Sequence, residues 1–382
     1  MNPAPTDISS FQSVKVFITS LVKRLISVIC RRQWTLALAV GVSFIVLGVG
    51  LGWYNNKIML PNPAPIAHYI GEPGNKLSFM SNWDGPNYIH IAKQGYTSAG
   101  STNFFPLYPL LIRLFHQLIP SWLISGLVIS WIGVCVAIFF YMKILKQLFQ
   151  VDSSEDLFQG VLLLLLFPTA VFFLATYTES LFAALALGAI YYALKKQWLV
   201  SAILLAFCTA THITSAFVVL LVAIILIEER VKLSKIILSI VIGALGLLGF
   251  MYYLLHKFQK PFAFITEQKK HGWLVSNGLG SFFNTMDFYN VIFIGLLIAA
   301  IIYWWNRRKS LSIYSFLFLL IPIVGKQFGG FNRYVLMAFP IPLMIYGWTL
   351  ARKQVYYTVV VALFAISWTY FLFQYAGGYI GG

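Results

Sequence analysis

The chain has 382 residues, of which 59% are apolar and only 10% charged, with a mean hydropathy of +0.80. A soluble domain carries about 25% charged and about 45–50% apolar residues, so a soluble globule, a disordered chain and a secreted disulfide scaffold are excluded. The formal charge of +16 would point to nucleic acid in a soluble protein; in a polytopic membrane protein it reads as basic loop ends near anionic headgroups. No nucleic-acid motif accompanies it.

Uninterrupted apolar runs such as Val161–Leu166 rule out the alternation of a membrane β-barrel. The expected class is all-α, polytopic, forming a single integral membrane domain over 1–382. The first 34 residues form a basic segment with Lys15, Lys23, Arg24, Arg31 and Arg32, and no cleavable signal peptide is read there. Residues 11–30 can form an amphipathic interfacial helix, with Phe11, Val14, Phe17 and Leu21 on one face. Allowing roughly 20 residues per crossing, about eleven spans are expected. They fall near 35–54, 121–145, 157–176, 179–195, 198–212, 213–228, 235–256, 287–305, 310–325, 333–350 and 355–374.

With the N-terminus placed inside, alternate loops carry Lys143/Lys146, Lys195/Lys196, Arg230/Lys232/Lys235, Arg307/Arg308/Lys309 and Arg352/Lys353. With the N-terminal segment, that is 17 of the 27 basic residues on the cytoplasmic side. Two long segments then lie outside, about 55–120 and 257–286. Loops longer than about 15 residues are usually functional or disordered, and these are too aromatic for disorder. The span centres hold no Asp, Glu, Lys or Arg, which weighs against an ion-coupled transporter. Chemistry is therefore expected at the outer interface, where the carboxylates are Glu72, Asp84, Glu179, Glu267 and Asp287.

Asp84 lies in Trp83-Asp-Gly-Pro-Asn-Tyr-Ile-His-Ile-Ala-Lys-Gln-Gly95, which reads as a short helix. Asp84 can cap it, Pro86 fits a first turn and Gly95 can end it. Trp83, Asn87 and Tyr88 form a plausible sugar-facing cluster beside Asp84. Phe104-Phe-Pro-Leu-Tyr-Pro109 reads as a rigid entry to the next helix, or as an interfacial aromatic belt. Pro168 should kink the third span. Thr178 is a natural N-cap for the fourth, and Glu179 complements that helix dipole or binds an acceptor. His212 stands at a break between two short spans, where a lone histidine is more often a satisfied buried group. No histidine pair or acidic companion makes a metal site. Arg333, after a glycine-rich turn, reads as a phosphate holder or a snorkelling charge. Cys30, Cys135 and Cys208 read as small core hydrophobes.

In this order and topology, the motifs resemble the PIG-V/Gpi18-type mannosyltransferases and their prokaryotic relatives. The resemblance runs from about Trp83 to Pro340. It rests on Trp83-Asp84 with Tyr88, Ile91-Ala92 and Gly95-Tyr96, on the FFPLYP stretch containing Tyr108, and on Phe167-Pro168. It continues through Tyr177-Thr-Glu-Ser-Leu-Phe182, Pro261-Phe-Ala-Phe264, Gln268, Arg333-Tyr334 and Phe339-Pro340. It implies a GT-C fold with outer-loop interfacial helices. It also implies transfer of a sugar, typically mannose, from a polyprenyl-phosphate donor to a lipid-linked or glycan acceptor on the non-cytoplasmic face. Asp84 takes the place of the family's base, Glu179 that of its Tyr-Thr-Glu-Ser acid, and Arg333 with Tyr334 that of its Arg-Tyr site. The substrate-binding set expected on these grounds is Trp83, Asn87, Tyr88, Tyr108, Glu179, His212, Gln268, Arg333 and Tyr334. One departure is the Thr211-His-Ile-Thr-Ser215 segment, where the family commonly has Arg in place of His212.

The expected reaction inverts configuration and is independent of metal or cofactor, since the leaving polyprenyl phosphate carries one charge and no D-x-D pair is present. The rival readings are a GT-C transferase of another polyprenyl-phosphate sugar and a lipid flippase or polysaccharide exporter, although neither the repeats nor the polar path of a transporter is visible. A partner subunit, required by some relatives, is compatible with the sequence. The compartment would be the plasma membrane of a prokaryote or the endoplasmic reticulum of a eukaryote, and the short loops lean to the first.

Overall fold

A computed structural model describes residues 33–58, 72, 74–270, 286–325, 330–352 and 354–379, with backbone alone at 268–270 and 325. The interfacial helix expected over 11–30 and Lys326 lie outside the described residues, as does most of the stretch between 271 and 286. The chain is an all-helical, polytopic membrane protein. Among the described residues, five helices are long and apolar enough to cross a membrane. These are α1 (Gln33–Ile58), α4 (Trp122–Phe149), α9 (Leu233–Phe258), α11 (Phe288–Trp305) and α15 (Gln354–Ala376). Shorter apolar helices complete the bundle: α6 (Glu179–Leu194), α7 (Trp198–Thr209), α8 (Ser215–Glu228) and α12 (Lys309–Gly325).

Two of the eleven apolar runs are not continuous helices. The third begins as α5 (Ser154–Leu165), started by Ser153, whose hydroxyl accepts from the Asp156 amide at 3.0 Å. It stops before Phe167-Pro168 instead of kinking through it. Proline lacks an N–H and disfavours helix at the residue before it. A 3-10 turn at Ala170–Phe173 follows, and every residue from Phe167 to Ser180 is buried. The tenth run is split in the same way into α13 (Phe331–Val335) and α14 (Pro340–Leu350), with Pro340 opening the second helix. Non-helical backbone at membrane depth is tolerated where protein surrounds it and its polar groups are satisfied. Here Trp131 Nε1 donates to the Leu174 carbonyl at 3.1 Å, and the Thr176 amide donates to the Met80 carbonyl at 2.9 Å.

Small residues let the helices approach. A methyl group built on Gly133 of α4 would lie 2.9 Å from the Ser180 backbone of α6, and one on Gly246 of α9 would lie 2.0 Å from the Ala206 carbonyl of α7. Cys135 and Cys208 are free and buried, as small core residues.

Several loop ends carrying basic residues meet at one end of the bundle. There Arg308 contacts Glu229 at 2.8 Å and Glu228 at 3.4 Å, and Lys196 lies 3.9 Å from Glu229. The opposite end carries the last turn of α15, the start of α6 and two further short helices, α2 (Gly85–Gln94) and α3 (Leu107–His116). Helix α2 runs where the sequence places it, ended by Gly95 at φ 74°. Its Tyr88, Ile91 and Ala92 stripe is buried in the protein.

Candidate functional site

The site is a strap, Ser78 to Asp84, laid across the end of the bundle and held from two directions. Asn82 is clasped by α15: its amide N–H donates to Tyr375 Oη at 3.1 Å and its side-chain amide donates to the Tyr375 carbonyl at 2.5 Å. Tyr177 Oη donates to the Asn82 carbonyl and accepts the Asp84 amide, each at 3.1 Å. Between these anchors Trp83 takes φ 58°, a left-handed conformation that non-glycine residues rarely hold. That reversal leaves Trp83 exposed while Asp84 turns inward.

Asp84 occupies the N-cap position of α2 but makes no capping hydrogen bond with its side chain. Its Oδ2 instead accepts from Arg333 Nη1. The capping role open to Asp84 from sequence is therefore not what its carboxylate does. On the other side of the guanidinium, Arg333 Nε lies 3.0 Å from Glu179 Oε1. This is an ionic approach outside hydrogen-bond geometry, and neither Glu179 oxygen receives a hydrogen bond among the described residues. Thr178, expected to cap α6, makes no capping bond; its hydroxyl lies 3.4 Å from Tyr88 Oη. The Arg333 guanidinium also sits 5.5 Å from the Tyr177 ring and 5.4 Å from the Tyr334 ring, within cation–π range.

The result is a carboxylate–guanidinium–carboxylate triad. Arginine stays charged at all relevant pH. The side chains of Arg333 and Glu179 are 5% and 0% exposed, and that of Asp84 is 12% exposed. Asp84 is thus the member that reaches the surface of the site. No group of three His, Cys, Asp or Glu side chains with metal-binding geometry occurs among the described residues. The space between the two site carboxylates is filled by a guanidinium.

The other outer acids have structural work. Glu72 covers the start of α4, accepting from the Trp122 and Leu123 amides at 2.6 and 3.2 Å and from Ser121 Oγ at 2.6 Å. Asp287 caps α11, accepting from the Asn290 amide at 2.7 Å. Glu267 is buried in α10 (Ala263–Lys270), which packs on the turn at Ala99–Asn103. Of five candidate carboxylates, Asp84 and Glu179 alone converge on Arg333.

The remaining expected site residues divide. Tyr88 is buried in contact with Tyr177, and burial holds its phenol well above the usual range, opposed by the charge of Arg333. Asn87 lies half-buried in the first turn of α2. His212 is buried beside Tyr334, with ring centroids 5.4 Å apart. Its Nδ1 lies 2.8 Å from the Thr214 hydroxyl and accepts the Thr214 amide at 3.2 Å, and burial disfavours the charged ring. Tyr108 is fully buried and donates to the Gly126 carbonyl at 2.9 Å, so its hydroxyl supports α4 and not an open face. Gln268 lies in α10, and its side chain is outside the described residues. Asn82, Tyr177 and Tyr375 carry the strap, yet none stands out as a site residue in the sequence. Their signal there is slight: Asn82 two places before Asp84, and Tyr177 two before Glu179.

The profile of the mannosyltransferase (PIG-V) family matches residues 54–264, more than half the chain. The chain belongs to the PIG-V mannosyltransferase family. The matched stretch contains Asp84, Glu179 and His212 and stops before Arg333, whose place in the site therefore rests on geometry. Among relatives, the GPI mannosyltransferase 2 of Drosophila melanogaster is 30% identical over 118 residues, covering 28% of this chain and 26% of that protein. The GPI mannosyltransferase 2 of Drosophila pseudoobscura pseudoobscura is 28% identical over 117 residues, covering 28% and 25%. The similarity thus spans about a quarter of each relative's length.

Proposed function

We propose that this PIG-V family protein is an inverting GT-C membrane glycosyltransferase with about eleven spans. It moves mannose from a polyprenyl phosphate to a lipid-linked or glycan acceptor on the non-cytoplasmic face, opposite the basic end. The observation that carries this reading is the triad: Asp84 leaves its helix uncapped to pair with Arg333, where a second carboxylate, Glu179, converges on the same buried guanidinium at the end of the bundle opposite the basic loops.

In this mechanism Asp84 Oδ1 takes the proton of an acceptor hydroxyl as that oxygen attacks the anomeric carbon. The bond from that carbon to the phosphate oxygen breaks, and polyprenyl phosphate departs with the electron pair. Arg333 holds Oδ2, fixing the carboxylate's orientation, and its charge offsets that of the leaving phosphate. Glu179 fixes the guanidinium from behind. Trp83 offers an exposed ring to a sugar face, and Asn87 lies in the turn beside it. His212, neutral where relatives commonly carry Arg, lowers the positive charge of the site and tunes donor choice.

The test is reconstitution of the purified protein with polyprenyl-phosphate mannose, the glucose, galactose and arabinose analogues, and a panel of lipid acceptors. Asp84→Asn should lower transfer by about 10²–10⁴ with the fold intact. Transfer by that variant at the wild-type rate would remove Asp84 as base. Absence of transfer from every donor, together with movement of labelled lipid between leaflets, would replace the enzyme by a flippase. The reaction is expected to persist in excess EDTA, because the cation between the carboxylates is a guanidinium. Loss of activity restored by Mn²⁺ would overturn metal independence.

A further inference from the structure

A groove of about 890 Å³ runs along the side of the bundle between α11, α14 and α15, from Phe288 and Tyr289 at one end of α11 to Arg307 beyond the other. That volume is within the range of ligand cavities, roughly 300–1,000 Å³. Its walls are apolar, with Ile292 and Leu296 from α11, Met344 from α14, and Val360 and Leu363 from α15. Helix α11, at about 1.5 Å per residue, makes it long enough for an extended hydrocarbon chain.

The basic end of the groove is chemically distinct. Tyr303, Arg307 and Trp348 line it. The Arg307 guanidinium stacks 4.1 Å over the Tyr303 ring and donates to the Tyr303 carbonyl at 2.9 Å. Arg352 stacks 5.3 Å over Trp348, which in turn meets Tyr356 at 5.7 Å. A cluster of tyrosine and tryptophan with arginine marks the headgroup level of a bilayer. Neighbouring Arg308 is neutralised by Glu228 and Glu229. Arg307 and Arg352 have no carboxylate partner among the described residues. One unneutralised guanidinium, Arg307, thus lines the basic end of a hydrocarbon slot, and a second, Arg352, stacks on the Trp348 of its wall.

We propose that this groove binds an anionic phospholipid of the leaflet at the basic end, its acyl chain along α11 and α15 and its phosphate between Arg307 and Arg352. Charge position selects this occupant. A polyprenyl-phosphate donor would place its phosphate at the triad, at the other end of the bundle, whereas the groove's cations lie at the basic end. Arginine suits the role because its fork pairs phosphate oxygens in parallel. The inference does not depend on sugar transfer and is read without it.

The full-length protein in detergent would be titrated with palmitoyl-oleoyl phosphatidylglycerol and with phosphatidylcholine of the same chains, bound lipid being counted by native mass spectrometry. One phosphatidylglycerol should bind at least tenfold more tightly than phosphatidylcholine. Arg307→Gln with Arg352→Gln should erase that preference, and the corresponding double Lys variant should retain most of it. Ala299→Trp, on the exposed groove wall, should weaken both lipids. Equal binding of the two lipids by wild type would overturn the proposal, whatever the variants do. A preference unchanged by the double Gln variant would overturn it as well. Displacement of phosphatidylglycerol by equimolar polyprenyl phosphate, lost in Ala299→Trp, would assign the groove to the donor instead.

Discussion

Replacing Arg333 with Gln should be among the most destabilising single changes in the protein. The guanidinium faces Asp84 and Glu179 with 5% of its side chain exposed, and Glu179 has no access to solvent at all. Solvent therefore cannot compensate for its loss. Removing one partner of a buried ion pair costs about 3–5 kcal/mol, because the remaining charge is left uncompensated. Here two carboxylates would be left facing each other. Glu179→Gln alone should cost less, about 1 kcal/mol, since removing one acid leaves a single carboxylate matched to one guanidinium. Combining the two changes should recover part of the Arg333→Gln loss, with a coupling of about 0.5–3 kcal/mol. Reversible SDS unfolding of the four proteins measures this cycle. The reasoning fails if Arg333→Gln changes stability by no more than the roughly 0.5 kcal/mol of a surface substitution, or if the double variant is as unstable as Arg333→Gln.

Tyr177→Phe strands the Asp84 amide and leaves the Asn82 carbonyl only its longer contacts from Tyr375 Oη and the Gly85 amide, each at 3.3 Å; it should cost about 1–3 kcal/mol in the same unfolding assay and lower kcat more than it raises KM. Gly246→Ala would drive a methyl group into the Ala206 carbonyl, so α7 and α9 must separate, at about 1–3 kcal/mol of unfolding free energy. Burial raises the Tyr88 phenol above its unfolded value near 10, so the folded state keeps a proton that the unfolded chain sheds. Its contribution is full below pH 10 and is lost as pH rises beyond; Tyr88→Phe should make stability fall less steeply with alkaline pH, by up to about 1.4 kcal/mol per unit. An unchanged slope in that variant would mean that the phenol titrates normally.

Helix positions were legible wherever apolar runs met ordinary caps, as at α2, where Pro86 and Gly95 bracket the helix. The pairing of Asp84 with Arg333 was legible only as two separate motifs, because the two stand 249 positions apart. Glu72 counts among the outer acids, although Asp84 stands first by its motif. No periodicity in its extended segment reveals that it turns onto the first amides of α4. Tyr375 lay hidden in an apolar run, where a tyrosine reads as an interfacial residue, yet it clasps Asn82 from 293 residues away. Nothing in the Phe104–Pro109 stretch reveals that tertiary packing buries Tyr108 against α4, because its hydroxyl partner is a carbonyl 18 residues on.

The two broken apolar runs and the site have one physical cause. A continuous helix through residues 167–178 would carry its backbone hydrogen bonds internally and leave none for the strap. Ending α5 before Pro168 frees the Thr176 amide to hold the Met80 carbonyl and brings the Tyr177 hydroxyl under Asp84. The break at Leu336–Phe339 likewise isolates α13 as a single short turn, so Arg333 is set by its own two neighbours and not by the register of a long helix. The left-handed residue at Trp83 makes the third departure from regular backbone. The two helix breaks are unfavourable by themselves in a low-dielectric interior and are tolerated because protein covers them, whereas the exposed Trp83 turn is held by the hydrogen bonds to Asn82 and Asp84 on either side of it. Their convergence on one guanidinium is the pattern expected where local rules are broken to build a functional site.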